Sequence, residues 1–563
     1  MAMPPGEKVK MHLTHCPACD YSKFVTLFTY HEYSVQQCIA CGLVFLTPQP
    51  TDEVLAKIYS ADYFLGSQSP VTKRFVSHIK HQTARLYLDK VAQHGGPPPG
   101  KLLEVGCGHG ELLMEAVARG YSVRGLDMSP HAVRMANDCL GRELVACATP
   151  EQAGLPAAEF DVCVCVDMIE HTRDPLTFLA QVHRVLKPGG VLLLVTPAID
   201  SWMARWLKRH WFDFKIEHLY YFSRATVQNV LARTGFRSVE VSGNHKVLTL
   251  DYLYRHFMRY RVPGLSMALE ALFRVTPRPL HHHPFKMATS SITVLACAEV
   301  VRSRPVVSVI VPAYNEYRYV SQVMDRLIAK QLTEMDKEII VVEGNSSDGT
   351  REAVLNYQGT PGVEIVLLDR AQGKGHAVRH GLARATGDFV LIQDADLEYD
   401  IDDYEALLEP LRTYRQAFVL GSRHKNNWQV RQFAERSALP ALMNFGHIFL
   451  TVLFNLLYGQ RLADPWTMYK AFRRDCLHRM RLECNRFDFD PELVAKLVRR
   501  GFSPIEIPVN YRSRSFAEGK KIRIFRDPPT WLWACLKYRI VSPDEPRARV
   551  SDVVLPRFID REG

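Results

Sequence analysis

Short apolar runs alternate with amphipathic stretches along two long parts of the chain. The runs at 101–105, 160–166 and 306–311 each lead toward a stretch in which apolar positions recur every three or four residues. Parallel strands need long crossover connections, which are usually helical, so this alternation predicts parallel sheets flanked by helices. We therefore predict the α/β fold class for residues 100–300 and again for residues 305–541.

Breaker residues and local composition divide the rest of the chain. Gly-Gly-Pro-Pro-Pro-Gly at 95–100 precedes the first strand of the first α/β unit, and Arg-Ser-Arg-Pro at 302–305 separates two β-rich runs. Before the first unit we expect a small cysteine-rich domain at 12–46 and a helical spacer at 47–99. Residues 542–563 are Pro-rich and charged, and we expect a loose tail there.

Composition and charge limit the class of protein. Of the 563 residues, 47% are hydrophobic and 23% are charged, which excludes wholesale disorder, collagen and a coiled coil. The net charge of +10 is mild for this length. It suits an anionic membrane surface or anionic substrates and does not demand nucleic acid. Residues 1–10 are polar, so we expect no signal peptide.

Four of the thirteen cysteines come in two closely spaced pairs. Cys16 and Cys19, then Cys38 and Cys41, form the pattern C-x2-C, eighteen residues, C-x2-C. Two such knuckles deliver four thiolates to a tetrahedral ion, so the spacing predicts a structural Zn2+ site that is closed to chemistry. Two disulfides or four unliganded thiols are the alternatives. The other cysteines are mostly scattered singly, which favours a reducing compartment.

A glycine-rich turn follows the first strand of the first α/β unit. Glu104, Gly106, Gly108 and Gly110 form E-x-G-x-G-x-G, and a dinucleotide fingerprint would place its third glycine one residue later. Glycines let the backbone approach a ligand closely, and a carboxylate can neutralise an ammonium group. S-adenosylmethionine needs both. Asp127 ends the next strand, where an acid suits a ribose diol.

Further motifs follow the glycine turn and Asp127 along this unit. With the runs at 167–175 and 217–223, residues 75–300 resemble class I S-adenosylmethionine-dependent methyltransferases, several of which carry an N-terminal zinc ribbon. The resemblance implies a Rossmann-like fold. It assigns cofactor binding to Glu104, Gly106, Gly108, Gly110, Asp127, Met128 and Glu151. Taken alone, the glycine turn is also compatible with another nucleotide or a plain tight turn.

Two histidines are candidates for a catalytic base in this unit. O-methylation requires a hydroxyl to lose its proton as it attacks the methyl group, and an unperturbed imidazole titrates near neutrality. His171 is the first candidate and His218 the alternative. Glu170 and His171 could instead be satisfied residues at a strand end. The sequence does not identify the methyl acceptor.

The second α/β unit carries polar residues where its strands end. A buried strand at 306–311 closes on a polar turn, and the next strand leads into an acidic turn at 343–350. Another strand ends in Asp394-Ala-Asp396. Two acids spaced by one residue suit a divalent cation that bridges two phosphates. A lone D-x-D motif is usually a solvated turn, so its assignment as a metal site depends on the other motifs of this unit and their order.

That series resembles the inverting glycosyltransferases of family 2, which have a GT-A fold. The motifs come in the family's order over residues 305–541, and together they resemble the branch that includes dolichyl- and polyprenyl-phosphate sugar synthases. The resemblance assigns the nucleotide sugar to Pro312, Tyr314, Glu316, Glu343, Lys374 and Asp394. Asp394 and Asp396 would hold Mg2+ or Mn2+. Glu343 stands where many relatives have Asp, which leaves the donor base open.

The acceptor side of this unit is less specific. A lipid phosphate is already an anion and needs no strong base, whereas a sugar hydroxyl does, and Asp464 is the candidate base or acceptor-positioning group. Arg423, Lys520 and Lys521 are the candidate ligands of an acceptor phosphate. The stretch 437–460 has no charged side chain. We favour a buried or membrane-surface helix there over a span.

These motifs together predict a bifunctional enzyme at the cytoplasmic face of the cell membrane. One module would transfer a sugar from a nucleotide sugar to polyprenyl phosphate, and the other would methylate that sugar or a related glycan precursor. The alternatives are transfer to a glycan or natural-product hydroxyl, and a module that only binds ligand as a regulator. We expect no nucleic-acid partner, because no basic, aromatic-interleaved stretch lies beside the methyltransferase motifs.

Overall fold

The computed structural model describes residues 11–30, 32–58, 70–260, 264–423, 439–513 and 527–543. The chain divides into two units, Met1–Val301 and Arg302–Gly563. Their boundary falls beside the breaker at 302–305. Strands and helices are numbered below in chain order.

The cysteine-rich head forms an antiparallel sheet in the order β1-β2-β3-β9. Its strands are β1 (Phe24–Tyr30), β2 (Tyr33–Cys38), β3 (Val44–Thr47) and β9 (Tyr220–Tyr221). The last strand comes from the second methyltransferase motif at 217–223. The head therefore shares a sheet with a segment far along the sequence, and it is part of the N-terminal unit's structure.

The rest of the N-terminal unit is a second sheet with helices. Its strands are β4 (Lys101–Val105), β5 (Ser122–Asp127), β6 (Val145–Cys147), β7 (Phe160–Val166), β8 (Leu186–Pro197), β10 (Phe236–Leu248) and β11 (Phe285–Ala298). The helices are α1 (Asp52–Ile58), α2 (Pro70–Gln93), α3 (Glu111–Ala118), α4 (Pro130–Leu140), α5 (Pro175–Val185), α6 (Trp202–Leu207), α7 (Arg224–Arg233), α8 (Leu250–Tyr260), α9 (Leu265–Val275) and α10 (Arg278–His281), with 3-10 turns at Ile169–His171 and Lys208–His210.

Strand order in this sheet creates a ligand crevice. The order is β10-β11-β8-β7-β4-β5-β6, in which β8 through β6 are parallel and β11 is antiparallel to both of its neighbours. The chain adds strands on one side of β4 and then crosses to β7 on the other side. Open α/β sheets bind ligands beyond the carboxyl ends of the strands at such a switch. The glycine turn after β4 and the segment after β7 meet there.

Alternating residues of the central strands face two apolar layers. Leu103 and Cys163 belong to one buried cluster, whereas Leu102 and Val162 belong to the other. Helix α2 completes the second cluster with four buried side chains, Ala84, Tyr87, Leu88 and Val91. The predicted helical spacer thus contains a helix that packs on the sheet, because its apolar positions recur at helical spacing.

The C-terminal unit is a third sheet flanked by helices. Its strands are β12 (Val306–Ala313), β13 (Asp336–Glu343), β14 (Val363–Leu367), β15 (Phe389–Ile392), β16 (Phe418–Ser422), β17 (Lys470–Arg473) and β18 (Ile505–Pro508). The helices are α11 (Tyr317–Ala329), α12 (Thr350–Leu355), α13 (Lys374–Arg384), α14 (Tyr404–Arg412), α15 (Leu439–Tyr458), α16 (Phe489–Arg499) and α17 (Asp527–Ile540), with 3-10 turns at Ile401–Asp403 and Arg474–Leu477.

This sheet is mixed, and it also has a switch point. The order is β14-β13-β12-β15-β17-β16-β18, and β17 runs antiparallel to both of its neighbours. The chain builds β12, β13 and β14 in one direction and then crosses to β15 on the other side of β12. The polar turn after β12 and the Asp-x-Asp loop after β15 therefore lie at the same edge of the sheet.

Helix α15 covers most of the uncharged stretch at 437–460. Residues 437 and 438 of that stretch lie outside the described part of the chain. Leu450 and Phe454 are buried, while Phe445, Phe449 and Leu456 are exposed. No helix in the described ranges is both long and apolar enough to cross a bilayer.

Candidate functional sites

The four cysteines of the head converge on one point. The Sγ atoms of Cys16 and Cys41 are 3.5 Å apart, and those of Cys19 and Cys38 are 3.6 Å apart. Four thiolates around tetrahedral Zn2+ would lie about 3.8 Å apart, whereas a disulfide needs about 2.05 Å. All the cysteines are free thiols, so the disulfide alternative is not found. The residues fit a structural zinc ion.

Glu104 is the acid of the glycine-turn motif, and it is buried in β4. Its Oε2 atom has no hydrogen-bond partner in the part of the chain that the structure describes. Burial raises the pKa of this carboxyl well above its usual value, and the nearby Glu111 raises it further. A cationic ligand would satisfy the oxygen and favour the carboxylate. The residue therefore fits the ammonium group of S-adenosylmethionine.

The glycines of the turn keep space beside Glu104. Gly106 has φ 76°, and a Cβ there would lie 3.1 Å from the sulfur of Met168. Gly108 has φ 54° and faces open space. Its N–H donates to Oδ2 of Asp127 at 2.9 Å, and the N–H of Ser129 donates to Oδ1 at 2.8 Å. Asp127 thus joins the turn after β4 to the turn after β5.

The remaining predicted cofactor residues lie around this cradle. Gly110, in the left-handed region at φ 81°, begins α3. Met128 follows Asp127 and is 56% exposed, which leaves its side chain open to a ligand. Glu151 lies in an exposed turn beyond β6. Its assignment to the cofactor stays a prediction.

The predicted base lies in a buried cluster after β7. The Nδ1–H of His171 donates to the carbonyl of Glu217 at 2.9 Å, and the Nδ1–H of His218 donates to that of Asp213 at 2.8 Å. The two rings are 4.8 Å apart, centre to centre. Glu170 is fully buried and accepts a hydrogen bond from Thr196 at Oε2. The fold brings both candidate bases together.

Burial changes the acid–base properties of this cluster. It lowers the pKa of His171 to about 4 and the pKa of His218 well below its usual value, because a charged imidazole loses its hydration there. It raises the pKa of Glu170 to about 8, with help from Asp167. This shift makes His171 a weaker base than the unperturbed imidazole that we assumed, and its role as the base stays a prediction.

An ion pair that the sequence did not predict lies beside the cluster. Lys246 of β10 donates to Oδ2 of Asp167 at 2.5 Å. Burial alone would lower the pKa of Lys246, but the adjacent carboxylate outweighs it and raises the pKa. Asp167 was visible at the end of an apolar run. Lys246 was not, because it is 79 residues away.

The two acids of the Asp-x-Asp motif have different neighbours. Asp394 forms an ion pair with Lys374, which begins α13. Asp396 is buried, and its Oδ1 accepts the N–H of Glu398 at 3.0 Å. Both side chains lie in the loop after β15. Two carboxylates supply hard oxygen ligands of the kind that Mg2+ or Mn2+ binds, so the residues fit such an ion.

Glu343 organises the acidic turn after β13. Its buried carboxylate accepts from Arg351 Nε at 2.5 Å and from the N–H of Ser346 at 2.8 Å. Burial opposes ionisation, but these hydrogen bonds outweigh it and lower the pKa of Glu343. We expected this side chain to meet the base or ribose of the donor. These partners are in its own turn and in α12, and its contact with the donor stays a prediction.

The turn after β12 is joined to the acidic turn. Asn315 receives a hydrogen bond from Ser347, and the N–H of Glu316 donates to Thr350 at 2.8 Å. Tyr314 is 42% exposed and Glu316 is buried, while Pro312 is partly buried at the end of β12. The predicted nucleotide residues therefore form one structure at the carboxyl edge of the sheet.

The predicted acceptor residues pair with each other. Arg423 donates to both carboxylate oxygens of Asp464 at 2.7 Å, and Asp464 is fully buried. The guanidinium also lies 5.3 Å from the ring centre of Tyr511. Lys520 and Lys521 lie outside the described residues. The candidate base and the candidate phosphate ligand thus act as a single unit.

Comparison with known proteins assigns both units. Residues 308–481 match the model of glycosyl transferase family 2, and residues 79–241 match a methyltransferase domain. A dolichyl-phosphate beta-glucosyltransferase of Trichomonas vaginalis is 32% identical over 230 residues, which are 38% of this chain and 68% of that protein. The chain belongs to glycosyl transferase family 2. It is an enzyme that carries a glycosyltransferase domain and a methyltransferase domain.

Other relatives have related names. The dolichyl-phosphate beta-glucosyltransferase of Homo sapiens is 30% identical over 242 residues, which are 40% of this chain and 71% of that protein. An undecaprenyl-phosphate 4-deoxy-4-formamido-L-arabinose transferase of Sodalis glossinidius is 28% identical, with 38% of this chain and 62% of that protein covered. A solved geranyl diphosphate methyltransferase is 18% identical, covers 39% of this chain and 85% of its own, and has a TM-score of 0.28.

The sequence also did not predict an ion pair in the glycosyl transferase unit. Lys470 is fully buried and donates to Oδ1 of Asp490 at 2.6 Å. Lys470 pairs across the sheet with Ile392, two residues before Asp394. Burial lowers the pKa of Lys470 and raises that of Asp490. The one available signal in the sequence was that Lys470 and Asp490 are charged residues next to apolar residues in their strand and helix segments.

Proposed function

We propose that the chain transfers a sugar from a nucleotide sugar to a polyprenyl phosphate, with inversion, and methylates the sugar or a related glycan precursor. The observation that carries the first activity is the set of relatives. Those of Trichomonas and Homo are named for dolichyl phosphate, and that of Sodalis for undecaprenyl phosphate. The methyltransferase domain with its Glu104 cradle supports the second.

The donor binds at the carboxyl edge of the glycosyl transferase sheet. Mg2+ or Mn2+ held by Asp394 and Asp396 would offset the charge that develops on the leaving diphosphate. Lys374 is the internal counterion of Asp394. When the donor is bound, Lys374 can exchange that carboxylate for a phosphate oxygen. The site therefore keeps a positive charge beside the diphosphate throughout the transfer.

The acceptor phosphate binds near Arg423. The two hydrogen bonds from Arg423 to Asp464 hold the guanidinium in one orientation. Because a lipid phosphate is already an anion, it can attack the anomeric carbon without a base. Asp464 is then a positioning residue. A hydroxyl acceptor would require a carboxylate with an oxygen available to take a proton, and both oxygens of Asp464 accept hydrogen bonds from Arg423.

The enzyme works at the inner face of the cell membrane as a peripheral protein. Helices α15 and α17 of the glycosyl transferase unit carry exposed apolar side chains, namely Phe445, Phe449, Val452, Leu456, Trp533, Leu536 and Ile540. Helices with such faces insert into the headgroup region of a bilayer. Polyprenyl phosphate presents its head group at that depth. Docking there would bring the acceptor to the site without a spanning helix.

Methyl transfer takes place beyond β4 and β7. S-adenosylmethionine, when bound, supplies an electrophilic methyl group. Glu104 would hold its ammonium, and Asp127 its ribose diol. The acceptor hydroxyl then lies toward Glu170, His171 and His218, and its proton leaves at this cluster. The four cysteines hold structural Zn2+ in the head and take no part in the chemistry.

Mass spectrometry of lipid extracts tests both activities together. The full-length protein is incubated with Mn2+, polyprenyl phosphate and a panel of nucleotide sugars, with and without S-adenosylmethionine. We expect a glycolipid with one donor, and a further gain of one methyl mass only when S-adenosylmethionine is present. If no donor gives glycolipid in a preparation that binds nucleotide sugar, the lipid-phosphate acceptor is wrong.

A further inference from the structure

We propose that Glu170, His171 and His218 form a second metal site, which holds a divalent transition-metal ion beside the methyl-donor cradle. The candidate ligand atoms, one from each residue, all lie within 4.8 Å of one another. Ligands about 2.1 Å from a common ion lie about 3.0–3.4 Å apart, so binding requires small side-chain rotations. Cys16, Cys19, Cys38 and Cys41 form a separate set in the same unit.

Backbone carbonyls orient both histidines for such a role. Nδ1 of His171 faces the carbonyl of Glu217, and Nδ1 of His218 faces that of Asp213. A carbonyl oxygen only accepts, so Nδ1 carries the proton in each ring and Nε2 carries the lone pair. Histidines that bind metals are commonly held by such a hydrogen bond from the other nitrogen. The protein thus presents two imidazole nitrogens in the ligating tautomer.

Glu170 supplies the independent observation. The residue is fully buried, and its Oε1 atom has no hydrogen-bond partner among the described residues. Its Oε2 atom is held by Thr196 at 3.0 Å, which fixes the carboxylate. An unpaired buried carboxylate oxygen is destabilising, and a bound cation would remove this cost. The atom belongs to the residue that completes the ligand set.

No lysine or arginine forms a hydrogen bond with Glu170 in the part of the chain that the structure describes, although Lys246 attracts its carboxylate from nearby. The nearby cation Lys246 forms its hydrogen bond with Asp167, and the side chain of Asp213 accepts from Ser290. The donor set of two imidazoles and one carboxylate suits Zn2+, Fe2+, Co2+ or Mn2+ better than Mg2+ or Ca2+. It contains no thiolate, so it differs chemically from the ribbon. Three protein ligands leave a position open for substrate.

The ion would activate the methyl acceptor, and this consequence rests on the proposed function. A hydroxyl bound at the open position has a lowered pKa and loses its proton to water. Its oxygen then forms a bond to the methyl carbon, while the carbon–sulfur bond breaks and its electron pair stays on sulfur.

Metal content tests the proposal without any acceptor. The full-length protein is dialysed against Zn2+ and then against metal-free buffer, and bound zinc is counted by elemental analysis. We expect two ions per chain in the wild type, one at the four cysteines and one at the Glu170 cluster, because Asp394 and Asp396 have no donor diphosphate to complete their oxygen ligands. Glu170→Gln and His218→Gln should each retain one, and the exposed His210→Gln should retain two. One ion in the wild type, or two in the Glu170 and His218 variants, would overturn the proposal.

A second readout covers variants that fold poorly. Wild-type protein is titrated with Co2+, whose thiolate complexes absorb strongly in the near ultraviolet and whose nitrogen and oxygen complexes do not. The first equivalent should produce the thiolate band, and the second should add only weak visible absorption. A second equivalent that adds no visible absorption contradicts the site. Two bound ions without methyl transfer would instead leave the site intact and refute the proposed function.

Discussion

The methyltransferase unit and the glycosyl transferase unit treat their buried carboxylates in opposite ways. In the first, Oε2 of Glu104 and Oε1 of Glu170 have no hydrogen-bond partner within the described ranges. In the second, buried Asp464 and Glu343 are each held by an arginine, and partly buried Asp394 is held by a lysine. A cationic ligand completes the first kind of site. At the second kind of site, an anionic ligand can replace the carboxylate as the partner of the lysine or arginine.

Under the proposed function, this difference follows from the ligands that each unit binds. S-adenosylmethionine brings its own positive charges, so an acid without an internal cation gains a partner on binding. A nucleotide sugar and a lipid phosphate bring negative charge. The glycosyl transferase unit therefore places cations beside its acids, and the cations then face the phosphates. We expect each site to respond differently to the loss of a single carboxylate.

The largest effect is expected from Asp396→Asn in the glycosyl transferase unit. The change removes one charged ligand of the divalent ion, and we expect sugar transfer to fall about 10³-fold or more, since metal and substrate positioning fail together. S-adenosylmethionine affinity should not change. The control is Asp402→Asn, whose carboxylate is exposed and pairs with Lys330. Transfer at near wild-type rate in Asp396→Asn would refute the assigned metal site.

Glu104→Gln should have the next largest effect. It keeps the shape of the side chain but removes the charge that meets the ammonium of the cofactor, so we expect S-adenosylmethionine to bind about 10–100-fold more weakly. Isothermal calorimetry measures the affinity. Glu159→Gln, which lies directly before β7 and is partly exposed beside Lys101, is the matched control. Equal affinity in wild type and Glu104→Gln would place the ammonium elsewhere.

The methyltransferase unit also contains an acid that is paired with cationic side chains. It tests whether unpaired carboxylates are a feature of the ligand site alone or of the whole unit. Glu240 lies 3.1 Å from His94 and 3.2 Å from Lys90, and these contacts hold the pKa of its carboxyl far below its usual value of 4.5. We expect Glu240→Gln to reduce stability by about 1–2 kcal/mol at pH 7.

The pH dependence of that effect has a defined sign. The folded-state pKa of Glu240 is lowered, so its contribution is complete above the unfolded pKa near 4.5 and is lost as the pH falls below it. Hydrogen exchange of β10 and α2 should separate the variant from wild type at pH 7 and much less at pH 3. A difference that grows toward acid would contradict the pairing.

The smallest expected signal is a proton released when S-adenosylmethionine binds. Burial raises the pKa of Glu104, so part of the unbound protein carries a proton there, and the cofactor's ammonium favours the carboxylate. Calorimetry at pH 6 in buffers of different ionisation enthalpy should detect up to about one proton. Release should decrease at higher pH and disappear in Glu104→Gln. Proton uptake would have the wrong sign.

Local patterns predicted the parts of both sites that lie at strand ends. The glycine turn after β4, Asp127 after β5 and the Asp-x-Asp loop after β15 all lie where the alternation of strands and helices placed them. Parallel strands bring their carboxyl ends to one edge of a sheet, so these positions follow from topology. The zinc-type cysteine cluster followed from spacing alone.

Pairings between distant segments could not be predicted in this way. Lys246 reaches Asp167 from a strand 79 residues later, and Arg423 binds Asp464 from 41 residues away. Asp167, Arg423 and Asp464 each stood out locally, but no local pattern shows which residue each one pairs with, because the register that joins them is set by tertiary packing. The packing of α2 could not be predicted either. Its sequence predicts a helix, but no local pattern shows that its apolar face packs on the methyltransferase sheet.

The central claim is that one chain performs two chemistries at two separate sites. The most direct test compares wild type, Gly106→Val and Asp396→Asn in the same lipid reaction, with products analysed by mass spectrometry. A valine at position 106 would be strained at φ 76° and would collide with Met168. We predict glycolipid without added methyl from Gly106→Val, no glycolipid from Asp396→Asn, and S-adenosylmethionine binding retained in Asp396→Asn. Methylated glycolipid from either variant would contradict the account.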